Sequence, residues 1–525
     1  MDSPLAQRSF TLIGSLGLGL ALTTTLTALS GLLLRLDALD VRVLFSDPYL
    51  SNVLFFTLWQ ALLSTIICLI LAVPLARALQ HSASPRLRRW LFSLSLVAFT
   101  LPTLVLVSGL ISLLGQQSLL SGWLRSYLPQ WSIYGLDGIL IAHVYLNLPF
   151  AVRVLTLSLD QLPSPALRLT RQMRLSLWQR LRWLEWPHLR STLSGVACLI
   201  FILCFNSFAI VLTLGGGPAA TTLEVAIYQA LKYHFDLNEA LLLCWLQLLI
   251  VGTCLIWMNR LGKVQWLTRP VKAASERHGG SGQCVGMLLL IVYGVFLLTP
   301  PFSLLLEVSQ VKVTQALLVS LGKALLNSAG IATTATALAL ILGWTLLLLP
   351  RAARQKSHPR GLGLLEWLSL HTLPFPAMVL CVGLYVVLIA SGFYTAFSLP
   401  VLIWLNALLV TPFVVTQLKA PLYAFDDQYS RLIQNWRPGT VQRCWLELRS
   451  VQAQLPALAC LAALLILGDV AVFAIFGSPE WITLPWLIYQ YAGSYRLQEA
   501  ALASLVLLMI SGLLVYRLEG GNHHA

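Results

Sequence analysis

The stretch LRLTRQMRLSLWQRLRWLEWP, residues 167–187, places five arginines in a chain that is otherwise strongly apolar. Of the 525 residues, 58% are hydrophobic and only 10% are charged, and the mean hydropathy is +0.79. Such a composition is typical of a protein that crosses a membrane many times and keeps its charged residues outside the hydrocarbon. The arginine-rich stretch is therefore expected to lie in a loop between spans.

Apolar runs on both sides of this stretch are long enough to cross a bilayer as helices, which takes about 20 residues each. Lipid offers the backbone no hydrogen-bond partners, so long apolar runs are expected to span as helices. We predict an all-α polytopic membrane protein with about 12 transmembrane helices. The predicted spans are about 11–34, 51–76, 91–115, 137–158, 191–214, 238–258, 284–306, 322–350, 364–390, 397–418, 452–475 and 499–516.

The positive charges are distributed unevenly over the predicted loops. If the spans alternate in direction, most of the 34 lysines and arginines fall on the side of the N-terminus. The positive-inside rule then places both the N-terminus and the C-terminus in the cytoplasm. The formal net charge of +14 has the same explanation, so no nucleic-acid partner is predicted. The nine cysteines form no CxxC pair, and no metal site is indicated.

The two halves of the chain share short motifs in the same order. The pairs are Thr-Leu-Pro at 100–102 and 372–374, Pro-Phe at 149–150 and 412–413, and Ile-Tyr-Gln at 227–229 and 488–490. We predict two tandem six-helix repeats, 1–258 and 284–525, joined by a polar cytoplasmic linker at 259–283. Repeats with an even number of spans have the same topology, so a substrate path is expected between them, along a pseudo-twofold axis.

The opening stretch lies between the fourth and fifth spans, and a second polar segment lies between the tenth and eleventh. In the first, apolar residues recur every three to four positions while Arg168, Arg171 and Arg174 share another face, which indicates an amphipathic helix. A helix lying on anionic lipid is one interpretation. Recurrence in both halves favours a docking element for a twofold partner. We call the segments loop A (163–190) and loop B (421–450).

The loops and their flanking motifs resemble the permeases of binding-protein-dependent ABC importers, which carry a cytoplasmic EAA loop ending in an apolar stretch and Leu-Pro. The similarity is strongest to the double-length permeases of thiamine importers. It rests on YGLDGILIAHVYLNLPFAVRVL (134–155), LEWPHLR (184–190), FILCFNSFAIVLTLGGGPAATTLEVAIYQAL (201–231), LGDVAVFAIFG (467–477), TLPWLIYQ (483–490) and GSYRLQEAA (493–501). Loop A departs from the family pattern, since Arg168-Leu169-Thr170 replaces Glu-Ala-Ala. Arg174 and Trp436 stand where the two bend-forming glycines are expected.

The resemblance implies a permease of the type I importer, MetI-like fold in a bacterial inner membrane, moving thiamine or its phosphates. Two copies of a separate cytoplasmic ATPase would supply hydrolysis of ATP with Mg, and a periplasmic thiamine-binding protein would deliver the cargo. The chain itself would have no catalytic residue and bind no cofactor. Loops A and B would contact the ATPase. The residues predicted for this coupling are Arg168, Arg171, Arg174, Trp178 and Glu185 in loop A and Leu432, Trp436, Gly439 and Glu447 in loop B.

Three polar residues inside the predicted spans are candidates for the translocation path: Asn206, Ser207 and Asp469. A carboxylate at membrane depth is costly and is by default a functional hypothesis. Thiamine carries a fixed positive charge, which such an acid would stabilise. A helix cap or a hydrogen bond between helices is the alternative interpretation of these residues.

Two other functions stay open. The first is a ferric-iron permease of the same superfamily, since these are also double-length. The second is a secondary transporter driven by an ion gradient, although that class predicts more intramembrane charge and no loop repeated in both halves.

Overall fold

The computed structural model describes residues 4–33, 46–80, 84–116, 118, 120–128, 131–261, 282–355, 359–436 and 438–521. Within these ranges every regular element is a helix. Helices satisfy their interior backbone N–H and C=O groups within the element, as a membrane interior requires. The predicted all-α fold class is confirmed.

The first half consists of long helices with shorter ones between them. Its α-helices are Pro4–Leu33, Pro48–Gln80, Pro85–Phe99, Thr103–Leu114, Ser121–Tyr127, Leu136–Asp160, Ser164–Gln172, Leu177–Arg180, Trp186–Phe205, Ala209–Leu214, Leu223–Gln229 and Leu237–Leu261. Two π-helical turns, Leu181–Glu185 and Ala230–His234, and a 3-10 turn, Pro218–Ala220, lie between them.

The second half has the same succession with fewer interruptions. Its α-helices are Gly282–Val308, Gln315–Gln355, Pro359–Ser369, Ala377–Ala390, Tyr394–Trp436, Thr440–Val451, Leu455–Leu467, Ala471–Phe476, Leu484–Gly493 and Leu497–Gly521, with a 3-10 turn at Pro479–Trp481.

Each of the twelve predicted spans overlaps helix in this structure, and the third, fifth, ninth and eleventh are interrupted within their length. Nine helices among the described residues are individually long and apolar enough to cross a membrane, and two pairs bent at a short break raise the number to eleven. The bent pairs are Pro85–Phe99 with Thr103–Leu114, at 102°, and Thr440–Val451 with Leu455–Leu467, at 81°. The ninth predicted span is divided between Pro359–Ser369 and Ala377–Ala390.

The division into two repeats joined at 259–283 stays a prediction. Helix Leu237–Leu261 runs into the start of the predicted linker and helix Gly282–Val308 begins at its end. Residues 262–281, the greater part of the linker, lie outside the described residues.

The first helix of each half packs against the other half through a small residue. Gly31 of the N-terminal helix crosses Gly383, and a Cβ on Gly383 would collide with the backbone carbonyl of Ala28. The first helix of the second half is approached in the same way by Gly109 of the first half, where a Cβ would lie 2.7 Å from the carbonyl oxygen of Pro300. Small residues allow such close backbone approach, and close packing drives helix association in lipid. The two halves are therefore interlocked by equivalent crossings.

Candidate functional site: loops A and B and two broken spans

Loop A folds as two short helices joined by a tight turn. Helix Ser164–Gln172 carries Arg168 and Arg171, and the next helix starts after Ser176. The Ser176 N–H donates to Gln179 Oε1 at 2.9 Å, and the Gln179 N–H donates back to Ser176 Oγ at 3.3 Å. This reciprocal capping box satisfies two backbone donors and fixes where the second helix begins.

Loop B also consists of two helices, but its first helix is continuous with the preceding span. Its first helix is the end of the long helix Tyr394–Trp436, so Leu432 lies inside this helix and Trp436 ends it. The second helix, Thr440–Val451, begins after Gly439, whose N–H donates to Gln442 Oε1 at 3.1 Å. In each loop the side chain of a glutamine, Gln179 or Gln442, thus accepts a hydrogen bond from the N–H of the residue that caps the second helix.

The bend of loop A falls on a residue that is not glycine. Arg174 has a φ of 53°, in the left-handed region that side chains other than glycine adopt at a cost. The expectation of a bend-forming glycine at this place thus has a physical basis in the backbone. Trp436 differs, because it is the last residue of the helix Tyr394–Trp436.

Replacing Arg174 with glycine should stabilise loop A. Glycine adopts the left-handed conformation without steric strain. The strain energy removed should exceed the entropic cost of glycine's greater freedom in the unfolded chain, so the free energy of unfolding should rise by roughly 0.5–1 kcal/mol. Arg174→Ala is the matched control, since it removes the side chain and keeps the strain. Thermal unfolding of both variants in detergent would measure the difference, and equal unfolding temperatures would contradict the prediction.

Glu185 ties loop A to the membrane bundle. It is fully buried, its carboxylate accepts a hydrogen bond from Arg77 Nε at 2.6 Å, and it forms an ion pair with Arg180, whose Nε lies 2.8 Å from Glu185 Oε1. Arg77 lies near the end of helix Pro48–Gln80, so the ion pair joins the loop to that span. A buried carboxylate needs such partners, because leaving it unpaired would be strongly destabilising.

Glu447 does the same for loop B with a larger network. It accepts from Arg351 Nη1 at 2.8 Å, from Trp344 Nε1 at 2.9 Å and from Arg443 Nε at 3.3 Å. Arg351 also donates through Nε and Nη2 to Asp426, both at 2.7 Å. Glu185 and Glu447 therefore face the protein interior, and their geometry suits holding the loops in position.

A π-helical turn explains how the two clusters keep the same geometry. Arg443 and Glu447 are separated by four positions on a regular α-helix, whereas Arg180 and Glu185 are separated by one residue more. The additional residue is absorbed in the π turn Leu181–Glu185. A π turn is closed by i→i+5 hydrogen bonds, so it brings together residues five positions apart as an α-helix does residues four positions apart. The ion pair is thereby preserved.

Deleting Arg182 from this turn should be tolerated. The deletion would convert the π turn to α-helix and set Arg180 and Glu185 four positions apart, as in loop B. Deleting Ser194 from the regular helix Trp186–Phe205 is the control, because it would rotate the loop by about 100° relative to the span. We expect near-normal yield of folded protein for the first deletion and loss of folded protein for the second; equal losses would be contrary to the expectation.

The remaining loop residues present an exposed surface. Trp178 is 68% exposed and Trp436 is 57% exposed, and Arg168, Arg174 and Leu432 are exposed as well. Arg171 lies in the same helix as Arg168, but its side chain lies outside the described residues. Large apolar side chains exposed at a loop are unusual for a surface that faces only water. Their contact with an ATPase stays a prediction.

The three path candidates lie where membrane helices are interrupted. Helix Trp186–Phe205 ends immediately before Asn206 and Ser207, and a short helix resumes at Ala209. In the second half, helix Leu455–Leu467 ends before Asp469, and the next helix begins at Ala471. The breaks occupy equivalent places in the two halves. Breaks of this kind are found at substrate and ion sites of transporters.

The local contacts of these residues are partly structural. The Val472 N–H donates to Asp469 Oδ2 at 3.1 Å, so Asp469 caps the short helix. Gln247 Nε2 donates to Asn206 Oδ1 at 3.0 Å and to Glu224 Oε1 at 2.9 Å. Glu224 and Gln247 are both buried and were missed by reasoning from the sequence. The only signal was that Glu224 lies three positions before the repeated Ile-Tyr-Gln motif.

Comparison with known proteins gives a consistent result over almost the whole chain. Residues 69–262 match the family model described as "Binding-protein-dependent transport system inner membrane component". The chain is 34% identical to the thiamine transport system permease protein ThiP of Haemophilus influenzae, over 93% of this chain and 91% of the relative. Similarity to the ThiP proteins of Escherichia coli (35%, covering 92% of both chains) and Brucella abortus (32%, covering 94% and 92%) is of the same extent.

Proposed function

Because the chain belongs to the family of thiamine transport system permease proteins, we propose that it is the translocation subunit of a thiamine importer. As a multi-pass inner-membrane permease it would carry thiamine, its phosphates or both through a path between its halves. The observation that carries this proposal is the match to thiamine permeases over more than nine-tenths of both chain lengths.

The partners follow from the same premise. The family model describes a component of binding-protein-dependent transport, which supports a periplasmic thiamine-binding protein as the donor of cargo. Two loops with the same two-helix outline support two copies of a cytoplasmic ATPase subunit, which would hydrolyse ATP with Mg. This chain would bind no cofactor and catalyse no reaction of its own. The positive-inside rule supports cytoplasmic N- and C-termini.

The coupling mechanism would use the rigid connections of the loops. Loop A is tied to the span Pro48–Gln80 through Glu185, and its second helix continues into the broken span that ends at Phe205. A movement of loop A would therefore be passed to the break at Asn206. ATP binding, by closing the ATPase pair, would draw the loops together and favour the outward-facing state. ATP can shift the equilibrium between the inward-facing and outward-facing states only because it binds the two states with different affinities.

Uptake by liposomes containing the permease, the ATPase and the binding protein tests this function. Labelled thiamine should accumulate in the presence of ATP and Mg, and ferric iron should neither accumulate nor compete. Thiamine monophosphate and thiamine pyrophosphate, tested as competitors, would rank the phosphorylated forms. Iron uptake without thiamine uptake would replace the proposal with the ferric-iron alternative, and uptake driven by an ion gradient without ATP would favour a secondary transporter.

A further inference from the structure

A lysine of the first half is held by three residues of the second half. The Lys232 ammonium group donates to the backbone carbonyl oxygen of Ile475 at 2.9 Å, across 243 positions of the sequence. The same group lies over the rings of Tyr385 and Tyr394, 5.6 Å and 6.0 Å from their centroids. The Tyr394 hydroxyl donates to the same carbonyl oxygen at 2.8 Å. We call these four residues the Lys232 cluster.

The helices place the Lys232 cluster at the end of the molecule remote from loops A and B. Tyr394 is the first residue of helix Tyr394–Trp436, which is 43 residues long and ends in loop B, roughly 60 Å away along its axis. In the first half, helix Trp186–Phe205 leads away from loop A before the chain reaches Lys232. A single helix therefore connects the Lys232 cluster to loop B.

The carbonyl group at the centre of the cluster lies at a helix end. Ile475 is the penultimate residue of the short helix Ala471–Phe476, and the last four carbonyl groups of a helix lack intrahelical donors. Lys232 and Tyr394 both donate to this carbonyl oxygen. The short helix that follows the break at Asp469 is thus fastened to the first half by the lysine, and it keeps the tyrosine as a donor if the lysine leaves.

The equivalent element of the second half carries no such lysine. The two Ile-Tyr-Gln motifs lie 261 positions apart, which places Gly493 at the position of Lys232. Phe235 and Tyr495, with φ of 56° and 58°, end the two elements in the same way but lie 260 positions apart. The first half therefore has one residue more in this interval, and Lys232 lies at the centre of the π turn Ala230–His234 that accommodates it. Such turns are frequent at functional sites.

The contacts of Lys232 are of a kind that can be released. Among the described residues the half-buried ammonium group is held by a carbonyl oxygen and two aromatic faces, not by a carboxylate. It regains hydration when it leaves them, whereas separating the buried ion pairs of Glu185 and Glu447 would leave uncompensated charges in the interior. The ion pairs suit permanent connections, and the Lys232 cluster suits a reversible one.

We propose that Lys232 is a releasable latch, which holds the two halves together at this end of the resting permease until the ATPase acts. The proposal rests on the proposed function and deepens it, since the outward-facing state requires the halves to separate at this end. Helix Tyr394–Trp436 would pass on the movement, because a displacement of loop B moves Tyr394 relative to Lys232. The charged hydrogen bond and the cation–π contacts would favour the latched arrangement by about 10-fold or more.

Reaction of the Lys232 amine with a water-soluble acylating reagent tests the latch in the unaltered protein. The permease–ATPase complex in nanodiscs would be labelled without nucleotide and after trapping with ATP and vanadate, and the modified lysines would be identified by mass spectrometry. We expect Lys232 to react about 10-fold faster or more in the trapped complex. Lys312, exposed just before helix Gln315–Gln355, is the control and should react equally in both states. Equal rates for Lys232 would overturn the proposal.

Lys232→Met and Lys232→Arg distinguish a latch from a structural cap. Methionine keeps an unbranched apolar side chain without the charge, whereas arginine keeps a cation that stacks on aromatic rings. ATP hydrolysis without the binding protein should rise about 10-fold in Lys232→Met, because more complexes reach the outward-facing state, and should stay near the wild-type rate in Lys232→Arg. Tyr394→Phe, which removes only the hydroxyl, should leave the hydrolysis rate between these two.

The possible results separate the latch from the proposed function. A lower unfolding temperature of Lys232→Met with unchanged hydrolysis would show a structural cap and overturn the latch. If Lys232→Met does not assemble with the ATPase, the labelling of the wild-type complex decides. Thiamine transport in liposomes together with equal labelling rates would overturn the latch and leave the function standing. Faster labelling in the trapped complex without thiamine transport would support the latch and overturn the function.

Discussion

Glu447→Ala will lower the free energy of unfolding by about 3–5 kcal/mol, because it leaves a buried arginine with part of its charge uncompensated. Arg351 is only 2% exposed and divides its donors between Glu447 and Asp426. The variant also removes the partner of Arg443 and of the Trp344 indole. Unfolding in mixed micelles, followed by tryptophan fluorescence, would measure the change.

Asp427→Ala provides the matched control. Asp427 follows Asp426 directly and pairs with Arg354 at 2.9 Å, but its side chain is 65% exposed. An ion pair open to solvent contributes about 0–1 kcal/mol, so this variant should unfold almost like the wild type. Equal losses for Glu447→Ala and Asp427→Ala would show that the buried cluster does not stabilise loop B.

The double variant Trp178→Ala with Trp436→Ala is expected to weaken binding of the ATPase subunit by at least about 30-fold. Exposed tryptophans at an interface are frequent hot spots, and losing one costs about 2 kcal/mol or more. The affinity would be measured by titrating the purified ATPase against the permease in nanodiscs.

Trp59→Ala is the control for this variant. Trp59 is also exposed, but it lies on the span Pro48–Gln80, where an exposed apolar side chain meets lipid. Its removal should not change the affinity for the ATPase. Unchanged affinity in the double variant, with normal folding, would refute a docking role for the exposed tryptophans of loops A and B.

The helical spans could be predicted because their signal is local. A run of apolar residues is sufficient to place a helix in lipid, and the repeated Ile-Tyr-Gln motif falls on equivalent short helices at Leu223–Gln229 and Leu484–Gly493. The positions of loops A and B followed from the same comparison, since each is a polar, arginine-containing segment between the corresponding spans of its half.

The partners of the loop carboxylates could not be predicted, because they are distant in sequence. Glu185 meets Arg77 across 108 positions and Glu447 meets Arg351 across 96. Both glutamates were assigned to ATPase coupling from their place in the loops, with no information on burial. Their contacts indicate that they hold the loops, whereas the exposed surface is formed by tryptophans and arginines around them.

Sequence-based prediction was limited in the same way for the residues proposed to line the translocation path. Asp469 was identified because a carboxylate within an apolar run is costly, and both of its suggested roles, cap and path, are compatible with its position. Glu224 gave a weaker signal, because the motif that contains it has Pro485 at the corresponding place. Only the fold brings Glu224 to Gln247, which also binds Asn206 at the break in the first half.

The most direct test of the coupling account is the amount of labelled thiamine accumulated per ATP hydrolysed in liposomes containing the permease, the ATPase and the binding protein. We expect the wild-type protein to accumulate thiamine with hydrolysis stimulated by the loaded binding protein. The Trp178→Ala and Trp436→Ala double variant should insert and fold normally but lose both accumulation and stimulation. Normal accumulation by that variant would contradict the claim that loops A and B pass ATP-driven movement to the permease.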